Sequence, residues 1–513
     1  VKECFPVTIR AARGALRKAA VRGLMRDYDA EGACVRSLTP VRAGTEVRVS
    51  MRLPRSISTF FRGLECEIPA RVRLTRPERV PGRGHEVVLS WSVPLARAVQ
   101  RAISSYQRKI GAMLAVVLAS TVALKLANLD FFWYAPYFYV YSATLVAYLV
   151  SRFYISWLYA APPLRDYAPT LSIVISVRNE EKSLERTIEA CFAADYPEGR
   201  REVIVVDDGS TDGTPRVLAA MKARHPELRV ATLKASGKRY GMAEGVRMAR
   251  GEIVVFVDSD TFIFSDALRH IVSGFEDPEV GASAGYAEVE NADVNLLTGL
   301  QEVRYFVSYR LLKSSEGVFG CVSCCPGCLS AYRRSYVLEV LEPWLKQTFL
   351  GAPATFGDDR SLTNFILRKY RVLYNGDAMA STMVPESWGT YMRQQVRWKK
   401  SWLRETLIAS RFMYAKHPVA ALSFYATAAF SLLSPAMVVR AVFLGITERN
   451  SVLSFYVLGL ALVALLQSLY FLYKRPSPNW ALGMVWMACS LVLSGPQTYY
   501  AMLTIRRNHW GTR

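Results

Sequence analysis

The sequence predicts an α/β architecture in which a doubly wound sheet domain is inserted between transmembrane helices and preceded by a small β-barrel. Three observations predict it. Hydrophobic residues make up 51% of the 513 residues while the formal net charge is +21, a combination that fits apolar spans alternating with basic, water-facing segments. In the middle of the chain, apolar strand-like runs ending in acidic residues alternate with helical stretches, which is the pattern of a sheet wound on both faces. Near the start, short alternating stretches are separated by Gly and Pro, as in a small barrel or sandwich. A chain of this length exceeds what one hydrophobic core holds together, so several domains are expected.

Residues 1–105 carry the alternating stretches, such as Glu46 to Leu53 and Glu86 to Trp91. Within them Asp27-Tyr28-Asp29-Ala30-Glu31-Gly32, followed by Ala33-Cys34-Val35-Arg36, resembles the D-x-S-x-x-G turn and strand of PilZ domains. That resemblance implies a regulatory barrel that binds cyclic di-GMP through Asp27, Asp29 and Gly32. Arg13 and Arg17 have the spacing of the family's arginine motif, although they lie close to the turn and Asp29 stands where the family has serine. Apolar spans at 111–128 and 133–157, preceded by Arg108-Lys109 and joined by a turn around Asn128 to Asp130, predict a transmembrane hairpin over 106–160 with its basic side inside. The soluble domain is expected over 161–388, interfacial helices over 389–416 and a second membrane region over 417–513, with spans at 418–446, 452–473 and 480–504. Five crossings would put the C-terminus outside, against the grain of Arg506, Arg507 and Arg513. Either the segment holding Pro435 is not a simple crossing, or the positive-inside rule is broken here. No cleavable signal peptide is expected.

The chemistry concentrates in the soluble domain. The strand Leu171 to Ser176 is followed by Arg178-Asn179-Glu180-Glu181, the strand Val203 to Val206 ends in Asp207-Asp208-Gly209-Ser210, and Ile253 to Val257 ends in Asp258-Ser259-Asp260. Ligands of such sheets bind at the carboxyl ends of the strands. Carboxylates there repel a diphosphate unless a hard divalent cation intervenes, so Asp258 and Asp260 are expected to hold Mg or Mn against phosphate oxygens. Asp208 is expected to accept hydrogen bonds from a base or ribose.

These motifs in this order resemble glycosyltransferase family 2, and within it the processive synthases of hyaluronan and chitin, over roughly residues 135–505. The resemblance implies a GT-A-like fold. Ser236-Gly237-Lys238-Arg239 is similar to the loop that contacts the UDP diphosphate, which assigns Lys238 and Arg239 to UDP together with Asp208, Asp258, Gln394 and Arg397. Gln347 to Gly351 and Phe356 to Asn364 are similar to the acceptor segment of hyaluronan synthases. By that resemblance Asp359 is the general base, held by Asp358 and Arg360. Gln394-Gln395-Val396-Arg397-Trp398 matches the Q-x-x-R-W signature. Gln394, Arg397 and Trp398 fall on one helix face, where a guanidinium fork suits the departing diphosphate and an indole suits the acceptor sugar. The Lys399 to Glu405 continuation is expected to lie at the membrane interface. Ser323 to Arg334 corresponds to a loop that is cysteine-rich in rhizobial chitooligosaccharide synthases, and it places Cys325 and Gly327 beside the acceptor. Pro326 and Cys328 depart from the hyaluronan-type C-S-G-P-L pattern, which leaves donor choice open.

The resemblance implies a multi-pass protein of a bacterial-type inner membrane with a cytoplasmic catalytic domain, whose partners are UDP-sugars, the growing polysaccharide and membrane lipids. Two alternatives stay open: a homopolymer synthase using UDP-N-acetylglucosamine alone, and a cyclic di-GMP receptor with a degenerate transferase half. A transferase acting once on a lipid carrier is disfavoured by Q-x-x-R-W and the spans. No nucleic-acid partner is expected, since no recognised binding motif is present. The five His residues are scattered, which argues against a His-based metal site. Cys321, Cys324, Cys325 and Cys328 have overlapping zinc-knuckle spacings but also suit small reduced thiols lining a tight loop.

Overall fold

The computed structural model describes residues 4–12, 20–54, 57–58, 60–78, 84–129, 136–447, 452–490 and 495–506. Two compact units emerge, one of residues 1–127 with 459–484, the other of 128–458 with 485–513.

In the first unit, β1 (Phe5–Ala11), β2 (Ala20–Tyr28), β3 (Gly32–Ser37), β4 (Glu46–Arg52), β5 (Glu65–Pro77) and β6 (His85–Trp91) close a barrel in the order β1-β2-β3-β6-β5-β4. Every neighbouring pair is antiparallel. The sequence alternation is the cause. Along β4 and β5 the residues Val47, Val49, Met51, Cys66, Ile68, Ala70 and Val72 point inward, and charged residues take the positions between them. Ala98 and Val99 join this core from the first turns of the helix Leu95–Ala127. The expected 111–128 span is therefore the distal part of one 33-residue helix, about 50 Å long at the usual rise. Asp29 Oδ1 accepts from Glu31 N and Gly32 N, both at 2.8 Å, so this carboxylate closes the turn before β3. Arg13, Arg17, Arg507 and Arg513 lie outside the described residues.

The second unit holds an eight-stranded sheet of β7 (Leu171–Val177), β8 (Arg201–Asp207), β9 (Arg229–Thr232), β10 (Ile253–Phe256), β11 (Thr261–Ile263), β12 (Val280–Val289), β13 (Ser330–Arg333) and β16 (Arg371–Thr382). The two-residue strands β14 (Thr348–Phe349) and β15 (Ala352–Pro353) pair separately. The order is β11-β16-β12-β13-β10-β7-β8-β9. Strands β10, β7, β8 and β9 run parallel, and the apolar runs of β10, β7 and β8 are buried on both faces, as parallel strands in the middle of a sheet require. β12 and β16 are parallel as well, so the doubly wound expectation holds, with two antiparallel entries. β13 enters antiparallel to both β10 and β12, and β11 pairs antiparallel with β16. The carboxyl ends of β7, β8 and β10 open on one edge, which is where the acids stand.

Among the described residues four helices are long and apolar enough to cross a membrane: Leu95–Ala127, Pro136–Leu158, Pro418–Thr447 and Leu453–Lys474. Pro418–Thr447 continues through Pro435 without a break. The fifth expected span, 480–504, is divided between helices Leu482–Cys489 and Gly495–Leu503, and residues 491–494 lie outside the described set. The expected turn at Asn128 runs into that set's limits at Asp130.

Candidate active site

A cavity of about 1270 Å³ opens at the carboxyl ends of β7, β8 and β10. It gathers residues predicted from widely separated motifs: Asp208, Lys238, Arg239, Asp258, Asp260, Gly327, Asp358, Asp359, Arg360, Gln394, Arg397 and Trp398.

The acids after β8 organise a loop. Asp207 Oδ1 accepts from Ser210 N at 3.0 Å and Oγ at 2.6 Å. The buried Asp208 accepts from Ser236 N at 2.5 Å and Gly237 N at 2.8 Å, one to each oxygen. Both oxygens thus shape the Ser236-Gly237 backbone, and Asp208 still lines the cavity in which a base or ribose is expected. That loop delivers Lys238, whose ammonium bonds Asp258 Oδ1. Burial alone would lower the Lys238 pKa, but the charge of Asp258, joined by Asp359 and Asp358, outweighs it and holds the side chain protonated.

Arg239 lines the cavity from a buried position. It is 4% exposed and its Nε donates to Asp358 Oδ1 at 2.7 Å, while Nη1 donates to Trp344 O at 2.9 Å. The guanidinium therefore ties the Ser236 loop to the acceptor segment. Asp358, equally buried, is the other half of this clasp.

The acceptor segment enters through β14, β15 and Gly357, which has φ +75°. A Cβ there would sit 1.7 Å from Ser401 Oγ, so only glycine lets helix Trp388–Ala409 approach. Helix Asp358–Leu367 then starts with two carboxylates in its first turn, where the partial positive end of the helix favours them. Asp359 Oδ1 accepts from Arg360 N at 2.8 Å, and Oδ2 faces the Cys324 thiol at 3.7 Å. Burial, then the Asp359 charge, pushes that thiol up to about 11, so it stays a neutral donor. Cys325, expected beside the acceptor, is instead fully buried, with its N–H donating to Thr363 Oγ1 at 2.9 Å. Cys324 and Cys328 line the cavity in its place. Gly327 lines the cavity where an added Cβ would meet the Asp258 oxygens at 2.7 and 2.8 Å.

Helix Trp388–Ala409 places Gln394, Arg397 and Trp398 on the cavity and turns Gln395 inward. Its Arg404 and Glu405 side chains turn into the protein. Both residues are buried, paired at 2.8 Å, and Glu405 accepts from Gln347 Nε2 at 3.1 Å and Asn364 Nδ2 at 3.0 Å. Arg404 also donates to Phe356 O. Gln347 further accepts from Ser361 Oγ at 2.5 Å. These anchors were missed in the sequence because a charge beside Trp402 looks the same whether it meets lipid or a buried carboxylate. Arg304, Tyr305, Tyr309 and Lys313 also line the cavity. Their only sequence signal is helical spacing on a segment without a recognised motif.

Strand-end acids, a lysine loop, a carboxylate at a helix start and a Q-x-x-R-W helix around one cavity define a nucleotide-sugar-dependent transferase. The chain belongs to glycosyltransferase family 2. Residues 172–341 match the family described as Glycosyl transferase family 2. The chain is 30% identical over 386 residues to the hyaluronan synthase of Streptococcus pyogenes, covering 73% of this chain and 90% of that protein. It is 31% identical over 350 residues to the N-acetylglucosaminyltransferase of Azorhizobium caulinodans, covering 67% and 87%. Among solved structures, the mannosyltransferase PcManGT from Pyrobaculum calidifontis, in complex with GDP-Man and Mn2+, aligns at a TM-score of 0.49 and 22% identity, covering 69% of this chain and 99% of that one.

Proposed function

We propose that this membrane protein is a processive, inverting synthase that polymerises UDP-sugars at the cytoplasmic face of a bacterial-type inner membrane and passes a β-linked polysaccharide outward. The donors under this reading are UDP-N-acetylglucosamine and UDP-glucuronate. The observation that carries it is the course of the cavity. From the Asp258 and Asp359 carboxylates it continues past Trp398 onto Ala420, Ser423, Phe424, Thr427, Ala428 and Ser431 of helix Pro418–Thr447. These residues recur at intervals of three and four, forming one stripe, small or hydroxyl-bearing except at Phe424, on a helix apolar enough to span a bilayer. A conduit that begins at the acceptor position suits a product that stays bound while it grows. The similarity to the streptococcal synthase supports the same reading.

In the mechanism we infer, the Asp359 carboxylate takes the proton of the acceptor hydroxyl as its oxygen attacks the anomeric carbon and UDP departs from the opposite face. Arg360 holds that base in place. Lys238 and Arg397 face the diphosphate, and Trp398 supports the acceptor ring. Asp258 and Asp260 offer hard oxygen donors, and the Cβ-free space at Gly327 leaves room beside Asp258, which fits Mg or Mn whose other ligands are waters and phosphates. When bound, that ion neutralises charge on the leaving diphosphate. Gln394 steadies the helix face beside Arg397.

UDP release by the purified enzyme with Mg or Mn tests this. Sustained turnover is expected only when both donors are present. Turnover with UDP-N-acetylglucosamine alone would overturn the two-donor reading in favour of a homopolymer synthase and would assign the Cys325-Pro326-Gly327-Cys328 loop to that choice. No turnover with any donor would favour the receptor reading with a degenerate transferase half. Asp359→Asn should abolish polymer while UDP still binds. The barrel is proposed as a PilZ-like regulator; cyclic di-GMP added to the full chain should then change the UDP-release rate, and an unchanged rate at saturating nucleotide removes that role.

A further inference from the structure

We propose that Arg304 and Lys399, flanked by the indoles of Trp398 and Trp486, form a subsite that reads the carboxylate of a uronosyl unit in the growing chain. The inference rests on the synthase reading above and deepens it by naming residues that select an acidic product.

Arg304 projects from helix Leu296–Phe306 and lines the same cavity as Trp398 and Lys399. Its guanidinium carbon lies 5.2 Å from the Trp398 ring centre and 5.5 Å from that of Trp486. Aromatic faces on either side hold the fork's orientation without neutralising it. Nη1 is buried and has no hydrogen-bond partner among the described residues, while the guanidinium also donates to the neutral Tyr391 side chain. Lys399 stands one residue beyond the acceptor tryptophan, with its ammonium 5.8 Å from the Trp402 ring. Burial, then the Arg304 charge, lowers its pKa to about 8, and no carboxylate opposes that shift.

Three of the acids that share the cavity find cations or donors elsewhere. Asp258 bonds Lys238, Asp358 bonds Arg239 and Glu316 accepts from Ser323. Two neighbouring cations at half-buried positions therefore stand without a counter-ion among the described residues, an arrangement that is costly until an anion arrives. The shape of the place says which anion. A planar fork matches a carboxylate with two parallel hydrogen bonds, and the Trp398 indole, which lines the cavity, suits the apolar face of a pyranose ring. A neutral sugar would satisfy that indole and leave both charges without a counter-ion. Discrimination by a missing partner for buried polar groups is the strong kind.

The experiment is single-sugar transfer by the full-length enzyme onto two acceptor oligosaccharides, one ending in glucuronate and one in N-acetylglucosamine, each with its proper donor, alongside UDP binding. Arg304→Gln is expected to slow extension of the glucuronate-ended chain at least tenfold more than extension of the other. Arg304→Lys, which keeps the charge, should recover part of that selectivity, and Lys399→Gln should show the same sign at smaller size. Equal losses on both acceptors would overturn the subsite and leave Arg304 a packing residue. A loss of UDP affinity matching the loss of rate would also overturn it, because the anion read there would be the diphosphate. A wild-type enzyme that extends only N-acetylglucosamine-ended chains with UDP-N-acetylglucosamine would overturn the proposed donors and the subsite together.

Discussion

At the scale of single residues, the site depends on which atoms are absent as much as on which are present. Gly327 leaves room for the Asp258 carboxylate, and a methyl group placed 2.7 Å from its oxygen must displace it. Gly327→Ala is therefore expected to weaken metal-dependent UDP binding by about tenfold or more, roughly 1.4 kcal/mol, in a calorimetric titration with Mg or Mn. Lys399 supplies a prediction with a definite sign. Its pKa lies near 8 instead of 10.5, so the ammonium is present below that pH and lost as pH rises through it. The advantage of glucuronate-ended chains should shrink between about pH 7 and pH 9, and Lys399→Gln should flatten the profile. For folding the sign is opposite. Between the folded value and the unfolded value the unfolded chain binds the extra proton, so this group makes the protein more stable as pH rises across that window, and below it the penalty is constant.

Elements are held in register by buried ion pairs that join distant motifs. Arg239-Asp358 fastens the Ser236 loop to helix Asp358–Leu367, and Arg404-Glu405 fastens helix Trp388–Ala409 to Gln347, Phe356 and Asn364. Removing one member leaves its partner charged and buried, which costs about 3–5 kcal/mol. Glu405→Ala should lower the thermal unfolding midpoint of the detergent-solubilised protein markedly, and activity should fall with it as the Q-x-x-R-W face drifts from Asp359. A midpoint within the error of wild type would show that the pair does not carry this contact. Arg152, buried on helix Pro136–Leu158 and donating to Ser423 Oγ, makes the same kind of connection within the membrane helices.

For the molecule as a whole, the proposed synthase reading makes the cavity's continuation along helix Pro418–Thr447 the route by which the product would leave. Ala428 lies on its small-residue stripe. Ala428→Trp should shorten the polysaccharide, read by gel sizing, more than it slows the first transfer. Products of unchanged length would mean that the chain leaves by another route.

Much of this was legible in the sequence because it is local. Alternation in β4 and β5 specifies which side chains fill the barrel, and an apolar run ending in Asp258-Ser259-Asp260 both builds a buried strand and leaves its acids at the strand's end. The order of those motifs, with Asp359 and Arg397-Trp398 after them, was enough to determine the class of protein. Tertiary structure decided the partners. Arg239 and Asp358 are 119 residues apart, and nothing in a basic loop distinguishes an arginine aimed at phosphate from one clasping a buried carboxylate. Cys325 and Cys324 are neighbours in the chain, yet one turns inward and the other faces Asp359, since a tight loop sends successive side chains in different directions. The antiparallel entry of β13 and the meeting of Arg304 with Trp398 and Trp486 likewise depend on long-range packing, where burial and charge are settled only by what the rest of the chain brings alongside.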